Sequence, residues 1–359
     1  MHAASLGEFE QGLPVLQEIK KEYPTYKLLV TFFSPSGYEV KKDTPYADVV
    51  TYLPIDTVAN AKQFVSLVNP ALAVFVKYEI WPNYLSALQQ SNIPTILISA
   101  IFKKEQIYFK SYGSFMRKAL GCFSHFFVQN STSVALLKSI GRTKVTLSGD
   151  TRFDRVSQIA GQDNVLSFMK HFKQEKQCLV AGSTWAEDEA ILVHYINHMK
   201  PGLKCVIAPH KIQKQAIENL KASITKSSIC YSNLVAEKSN NFEVLIIDTI
   251  GLLTKIYSYA DIAYVGGGFA TGLHNTLEPA VFGIPVLIGP RYKGFKEAED
   301  LVAQNGILVA KDKTSFTNQL NKLLTNPELL KKTGVINANY ISNNQGASIQ
   351  IMDHIRTLL

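Results

Sequence analysis

The sequence predicts an α/β protein made of two doubly wound domains. Three observations carry this reading. Short apolar runs rich in β-branched residues alternate with amphipathic stretches along the whole chain. The alternation restarts near the middle, and 359 residues suit two domains of ordinary size. In the first half, strands are predicted at 28–33, 49–53, 72–76, 95–99, 125–128 and 145–147. Helices are predicted between them at 12–22, 60–68, 112–120 and 132–140. After Gly149-Asp150-Thr151-Arg152-Phe153-Asp154, a polar stretch and a helix lead to a second set of strands at 178–181, 205–208, 244–247, 262–265, 286–288 and 307–309. Asn240 and Asn241, preceded by polar residues, are expected in a surface loop, and 345–358 reads as a terminal helix. The domains are expected at 1–153 and 154–340, with 341–359 as a closing segment. Neither a low-complexity tract nor a medium-period repeat interrupts this order.

Composition narrows the functional classes. A hydrophobic content of 46% with 18% charged residues excludes a disordered, collagen-like or coiled-coil chain. The net charge of +8 favours anions in general, whether nucleotides, acidic membrane surfaces or nucleic acid. The basic residues are scattered among acids and form no stripe interleaved with aromatics, which argues against nucleic acid. Cys122, Cys178, Cys205 and Cys230 are far apart with no C-x-x-C pair, so neither a zinc site nor a disulfide framework is indicated, and a reducing cytoplasm is the default compartment. No apolar run approaches the roughly 18 residues that span a bilayer. Glu8, Glu10 and Glu18 are unlike a signal peptide.

In open α/β sheets ligands bind at the carboxyl ends of strands, where loops and helix N-termini present free N–H groups. The stretch His2-Ala3-Ala4-Ser5-Leu6-Gly7-Glu8 reads as a strand end, a glycine turn and a helix start. Ser5-x-x-Glu8 has the pattern of a capping box. The alternative to that capping role is a general base in a closed, dried cleft, since burial raises a carboxylate pKa while a helix N-terminus lowers it. Val76-Lys77-Tyr78-Glu79-Ile80-Trp81-Pro82-Asn83 follows a strand and offers either an ion pair of Lys77 with Glu79 or an anion site, before Pro82 opens a helix.

In the second half, Ala181-Gly182-Ser183-Thr184 reads as a turn of small residues through which backbone N–H groups approach a phosphate, ahead of an acidic helix starting near Glu187. His210 and Lys211 follow Ala208-Pro209 with two potentially cationic groups, which are either solvated surface or anion ligands. The richest stretch runs from Val265 through Gly266-Gly267-Gly268 and Gly272 to Asn275 and Glu278. It lacks a Walker Gly-Lys-Ser/Thr, and it comes too late in its domain for a dinucleotide fingerprint. Asn275-x-x-Glu278 resembles a helix cap, and a carboxylate beside a phosphate cradle can also grip ribose hydroxyls.

Together these fragments resemble the 3-deoxy-D-manno-octulosonic acid (Kdo) transferases of Gram-negative lipopolysaccharide synthesis. The resemblance adds Ser34-Pro35-Ser36-Gly37-Tyr38-Glu39, Pro54-Ile55-Asp56-Thr57, Ile98-Ser99-Ala100 and Gly149 to Arg155 to the stretches above. It implies a GT-B glycosyltransferase: an N-terminal acceptor domain, a C-terminal donor domain and a last helix that packs back on the first. It implies transfer of Kdo from CMP-Kdo to the lipid A precursor, with inversion, without a metal and with no cofactor beyond the donor substrate. Glu8 then corresponds to the family's base, with Lys77 and Glu79 near the Kdo carboxylate or the acceptor phosphate. Ser183 and Thr184 fall near phosphate, Gly267 and Gly268 act as backbone donors, Asn275 lies near phosphate or sugar acid, and Glu278 takes the ribose. Many members carry an arginine where this chain has His210 followed by Lys211, so charge there is expected to depend on pH. The family also carries a membrane anchor and a short lead-in before the His-Ala-Ala motif. Here Met1 directly precedes His2, so the first strand is expected to be incomplete. The implied location is the cytoplasmic face of the inner membrane, with an anionic bilayer as partner. Competing functions are a UDP-sugar transferase or epimerase of the same fold, and a non-catalytic nucleotide-binding protein.

Overall fold

The computed structural model describes residues 1–359, except for the side chains at 236 and 237. It divides into two compact units, Met1–Arg155 with Asn344–Leu359, and Val156–Asn343. The breaks follow Arg155 and Asn343 rather than residues 153 and 340. Side chains explain the first difference. Arg155 Nε donates to Glu10 Oε2 (2.9 Å), and Asp154 caps the last helix, so both residues belong to the first unit.

The first unit is built on parallel strands in two rows. Strand β1 (Leu29–Phe32) pairs with β2 (Val49–Tyr52), while β3 (Ala73–Val76), β4 (Thr95–Ala100), β5 (His125–Val128) and β6 (Val145–Leu147) pair in that order. The N-terminal backbone joins the rows. His2 N–H donates to Val74 O (2.8 Å) on one side, and Thr31 N–H donates to Met1 O (2.9 Å) on the other. The chain then turns into the Leu6–Glu22 helix, which starts earlier than residue 12 because Ser5 is its N-cap. Phe9, Leu13 and Leu16 recur at helical spacing and are buried against the sheet.

Ile351, Met352 and Ile355 of the Ala347–Ile355 helix join the same core. This helix starts later than the predicted 345–358, because Gly346 at its N-cap has φ of 102°, and it ends at Ile355. The Asp154 carboxylate accepts from the N–H groups of Gly346 and Ser348, both at 2.7 Å, and from the Ser348 hydroxyl (2.8 Å). A second cap explains Pro54-Ile55-Asp56: the Asp56 carboxylate accepts from Asn83 N–H (3.2 Å) and Tyr84 N–H (3.1 Å) at the start of the Pro82–Gln90 helix.

The second unit holds seven parallel strands: β7 (Gln177–Thr184), β8 (Leu203–Pro209), β9 (Ser228–Cys230), β10 (Val244–Ile246), β11 (Ile262–Val265), β12 (Val286–Ile288) and β13 (Ile307–Val309). Their order is β13-β12-β11-β7-β8-β10-β9, so the winding reverses between β7 and β11. Every predicted strand is present. The edge strand β9 was not predicted, its three residues being too few to show alternation. β7 is longer than predicted and carries Ser183 and Thr184 within the strand, where a turn had been expected. Asn240 and Asn241 are exposed and lie at the end of a 3-10 turn, Ala236–Asn241, rather than in an irregular loop. Lys204, whose side chain is buried, holds this turn by donating to Asn240 O (2.8 Å) and Phe242 O (2.5 Å). No helix among the described residues is long and apolar enough to cross a membrane.

One contact makes the first unit sensitive to acid. His125 on β5 lies against His354 of the last helix, with ring centroids 4.5 Å apart. Burial, followed by the His354 and Lys144 charges, lowers the His125 pKa to about 4. Burial also lowers that of His354, whose Nε2 is enclosed without a hydrogen-bond partner among the described residues. The unfolded chain therefore binds these protons more readily than the folded one. The stability they contribute is complete above the unfolded value of about 6.5 and is lost as pH falls toward 4. Thermal melts should show a midpoint that drops by a few degrees over this interval, and His125→Asn should flatten the drop.

Candidate functional site

Each unit gathers polar groups at the carboxyl ends of its strands. In the first unit the segment leaving β1, the Met1–Ala3 backbone and β3 bring Glu8, Lys77 and Glu79 into one electrostatic cluster. Glu8 Oε2 accepts from the N–H groups of Ala4 (2.6 Å) and Ser5 (3.2 Å), as a capping carboxylate does. The capping geometry coexists with a perturbed acid. Burial, with the nearby Glu79 charge second, raises the Glu8 pKa to about 7, while the two N–H groups and Lys77 pull the other way. Desolvation wins.

Glu79 is held rather than free to swing. Its Oε2 accepts from Trp81 Nε1 (2.7 Å) and lies 3.1 Å from His2 Nε2. His2 Nδ1 is 2.9 Å from Thr31 Oγ1, and burial lowers the His2 pKa. A neutral ring donating through Nε2 to Glu79 and accepting at Nδ1 from Thr31 satisfies both contacts. Lys77 sits at φ of 64° just beyond β3, with Nζ 5.0 Å from the centre of the Tyr78 ring. Ser99 at the end of β4 has φ of 50°, beside a register shift between Leu97 and Ala100. Left-handed backbone at non-glycine residues costs roughly 1–3 kcal/mol each and collects at functional strand ends. The Ser99 hydroxyl meets Thr151 Oγ1 at 2.6 Å, which ties the Gly149 to Arg155 stretch to this edge.

In the second unit the site forms where the winding reverses. Ser183 has φ of 53°, beside a register shift in β7 between Gly182 and Thr184. Thr184 is buried, and its hydroxyl donates to Glu189 Oε1 (3.0 Å). Asp188 organises the loop after β11: its carboxylate accepts from Trp185 N–H (2.9 Å), Tyr264 Oη (2.5 Å) and Gly267 N–H (2.8 Å). Gly267 N–H is thus already given to Asp188, which leaves Gly268 of the expected pair of backbone donors. Close packing requires both glycines. A Cβ on Gly267, at φ of 91°, would lie 2.0 Å from Gly272 O, and one on Gly268 would lie 2.7 Å from Gly289 Cα. The expected cap pair is present as well, with Asn275 Nδ2 donating to Glu278 Oε1 (3.1 Å) and Leu277 N–H to Asn275 Oδ1 (3.1 Å). The nearby Thr276 hydroxyl is buried with no hydrogen-bond partner among the described residues.

His210 and Lys211 join an aromatic stack. The Trp185 and His210 rings lie 4.7 Å apart and nearly parallel, His274 lies 4.4 Å from His210, and Lys211 Nζ is 5.0 Å from the Trp185 ring centre. Trp185 Nε1 donates to His274 Nε2 (2.9 Å), so the His274 proton sits on Nδ1. Burial, then neighbouring charge, lowers the pKa of both histidines. Sequence reasoning missed His2, Trp81, Trp185, Asp188 and His274. His2, Trp81 and His274 lay in stretches already singled out at strand ends, and Asp188 carried a signal as the third residue of a helix start.

Gly267→Ala adds a Cβ where none fits, so it should lower the stability of the second unit by at least about 1–3 kcal/mol. Urea unfolding followed by a probe in that unit measures this.

Residues 1–155 match the family model described as 3-deoxy-D-manno-octulosonic-acid transferase (kdotransferase). The 3-deoxy-D-manno-octulosonic acid transferase of Aquifex aeolicus (strain VF5) is 28% identical over 333 residues, covering 90% of this chain and 85% of that protein. That of Chlamydophila psittaci (strain ATCC VR-125 / 6BC) is 26% identical over 339 residues, covering 91% of this chain and 77% of that protein. Among solved structures, UDP-GlcNAc 2-epimerase from Neisseria meningitidis bound to UDP-GlcNAc superposes with a TM-score of 0.68 at 17% identity, covering 99% of this chain and 98% of that one. At that identity the likeness shows the shared fold, that of the doubly wound GT-B type.

Proposed function

We propose that the chain is a glycosyltransferase like the Kdo transferases it resembles, and that it moves Kdo from CMP-Kdo to the lipid A precursor, lipid IVA. The observation that carries this reading is the Glu8 carboxylate, half-buried at a strand end with its pKa raised to about 7. A base that accepts a hydroxyl proton near neutral pH needs such a value. In the proposed reaction the acceptor oxygen attacks the anomeric carbon of Kdo, its proton passes to Glu8, and the bond from that carbon to the CMP phosphate breaks. A single displacement of this kind inverts the anomeric centre, and as proposed it uses no metal ion.

Lys77 and Glu79 would orient the acceptor phosphate or the sugar carboxylate, with His2 and Trp81 holding Glu79 in place. In the second unit, Ser183, Thr184, His210, Lys211, Gly268 and Asn275 would surround the donor's phosphate and sugar acid, and Glu278 would take the ribose. Gly267 would contribute through its turn, since its N–H is committed to Asp188. The proposed site of action is the cytoplasmic face of the inner membrane, and the excess of positive charge suits a phosphorylated acceptor in an anionic bilayer.

Glu8→Gln should lower the transfer rate by about 10²–10⁴-fold while CMP affinity stays within a few-fold, because a base acts in the transition state. The parent rate should climb as pH rises through about 7, where Glu8 loses its proton. Equal loss of rate and CMP affinity in the variant would reduce Glu8 to a cap. Calorimetric titration in EDTA should show CMP bound in preference to UMP, UDP and NAD, and Glu278→Ala should weaken CMP about tenfold or more; binding of UDP or NAD in its place would overturn the donor assignment. With His210 and His274 neutral at pH 7, lowering the pH below about 6.5 adds positive charge at the donor phosphate. CMP should therefore bind more tightly as these histidines gain protons on acidification below that range, and His210→Ala should reduce the gain.

A further inference from the structure

Histidine rings pair closely at three places in this chain: the centroids lie 4.5 Å apart in His125 and His354, 4.4 Å in His210 and His274, and 4.8 Å in His194 and His198. Two of the pairs are already committed. His125 Nε2 meets Thr146 Oγ1 (2.8 Å) and His354 Nε2 is enclosed, while His274 Nε2 accepts from Trp185 Nε1 (2.9 Å). The third pair is open. His194 and His198 are exposed one turn apart on the Ala186–His198 helix, near the amino ends of β7 and β8 and so away from the candidate site of the second unit.

His198 Nδ1–H donates to His194 O (2.8 Å), which leaves the lone pair of the neutral ring on Nε2. A bond from one ring nitrogen to a backbone carbonyl is what orients a metal-ligating histidine. Among the described residues neither His198 Nε2 nor either His194 ring nitrogen has a hydrogen-bond partner. The spacing fits a shared ligand. A cation about 2.1 Å from one nitrogen of each ring would lie about 3.2 Å from each centroid, so the 4.8 Å separation corresponds to an angle of about 95° at the cation, between the octahedral and tetrahedral values. The pair lines a cavity of about 600 Å³ together with Lys200, Thr317 and Asn321, which leaves room for water on the other positions. No group of three or more His, Cys, Asp or Glu forms a metal cluster among the described residues. The carbonyls that end the helix at His198 favour a cation, against the Lys200 charge.

We propose that His194 and His198 chelate one borderline divalent cation of the Zn²⁺ or Ni²⁺ class, with water completing its shell. Their spacing is that of the two helix histidines in H-E-x-x-H zinc sites, but Tyr195 stands in place of the glutamate and donates its hydroxyl to Asn321 Oδ1 (2.8 Å). The cation therefore has no base beside it and takes no part in the proposed transfer. It staples the last turn of the helix whose first turn carries Asp188.

The test is calorimetric titration of the full chain, stripped with EDTA and dialysed, with Zn²⁺, Ni²⁺ and Mg²⁺. Zn²⁺ and Ni²⁺ should bind at a site that His194→Asn or His198→Asn weakens by at least about tenfold, a loss that even an outer-shell partner causes. His171→Asn, which removes a lone exposed histidine, should leave that site intact, and Mg²⁺ should not occupy it. Ni²⁺ should also raise the thermal midpoint of the second unit, because the spacing of the two rings exists only in the folded helix, and the rise should vanish in either variant. Undiminished binding in both variants, equal binding of Mg²⁺, or an equal rise in midpoint without His194 would each overturn the site.

Discussion

The first unit depends on three residues whose backbone is paired on both sides. Met1, His2 and Ala3 exchange hydrogen bonds with Thr31 on one flank and with Val74 and Val76 on the other, so β2-β1 and β3-β4-β5-β6 act as one sheet at that level. The His2 side chain extends the same constraint into the site. Its two ring nitrogens span from Thr31 to Glu79, tying the exits of β1 and β3 to each other. The chain then turns within two residues into the Leu6–Glu22 helix, so the position of Glu8 follows from the backbone pairing just before it.

The two units use buried carboxylates in opposite ways. Asp188 accepts three short hydrogen bonds and is spent entirely on shaping the loop after β11. Glu8 accepts two N–H donors, yet burial and the Glu79 charge outweigh them, and its proton affinity rises into the neutral range. Strain marks the same places: Lys77, Ser99 and Ser183 all take left-handed backbone at the ends of β3, β4 and β7.

The fold was legible because parallel strands buried on both faces are short runs of Val, Ile, Leu and Phe that stand out from their surroundings. Their ends were less so. Thr184 reads as part of a turn of small residues, yet the bulge at Ser183 lets β7 continue through it. Glu8, Lys77, Glu79, Asn275 and Glu278 could be singled out because they follow strands directly or repeat a capping spacing. Asp188 and His274 were not, since what distinguishes them is contact with β11 and Trp185, and such contacts exist only once the sheet has formed. The resemblance of the motifs ordered these fragments into one family, but it did not separate those that shape the fold from those that face a ligand. Asp56 and Asp154 belong to conspicuous motifs and serve as helix caps.

The Asp154 cap has a consequence for how the protein is made. Asp154 waits for partners at Gly346 and Ser348, nearly the whole second unit later in the chain, and until they arrive the apolar face that receives Ile351, Met352 and Ile355 stays uncovered. Val156–Asn343, by contrast, is one continuous stretch. During synthesis from the N-terminus, the second unit can close while the first is still missing its last helix. The unit begun first is therefore the one completed last, and its exposed face must remain soluble for the time needed to translate the other.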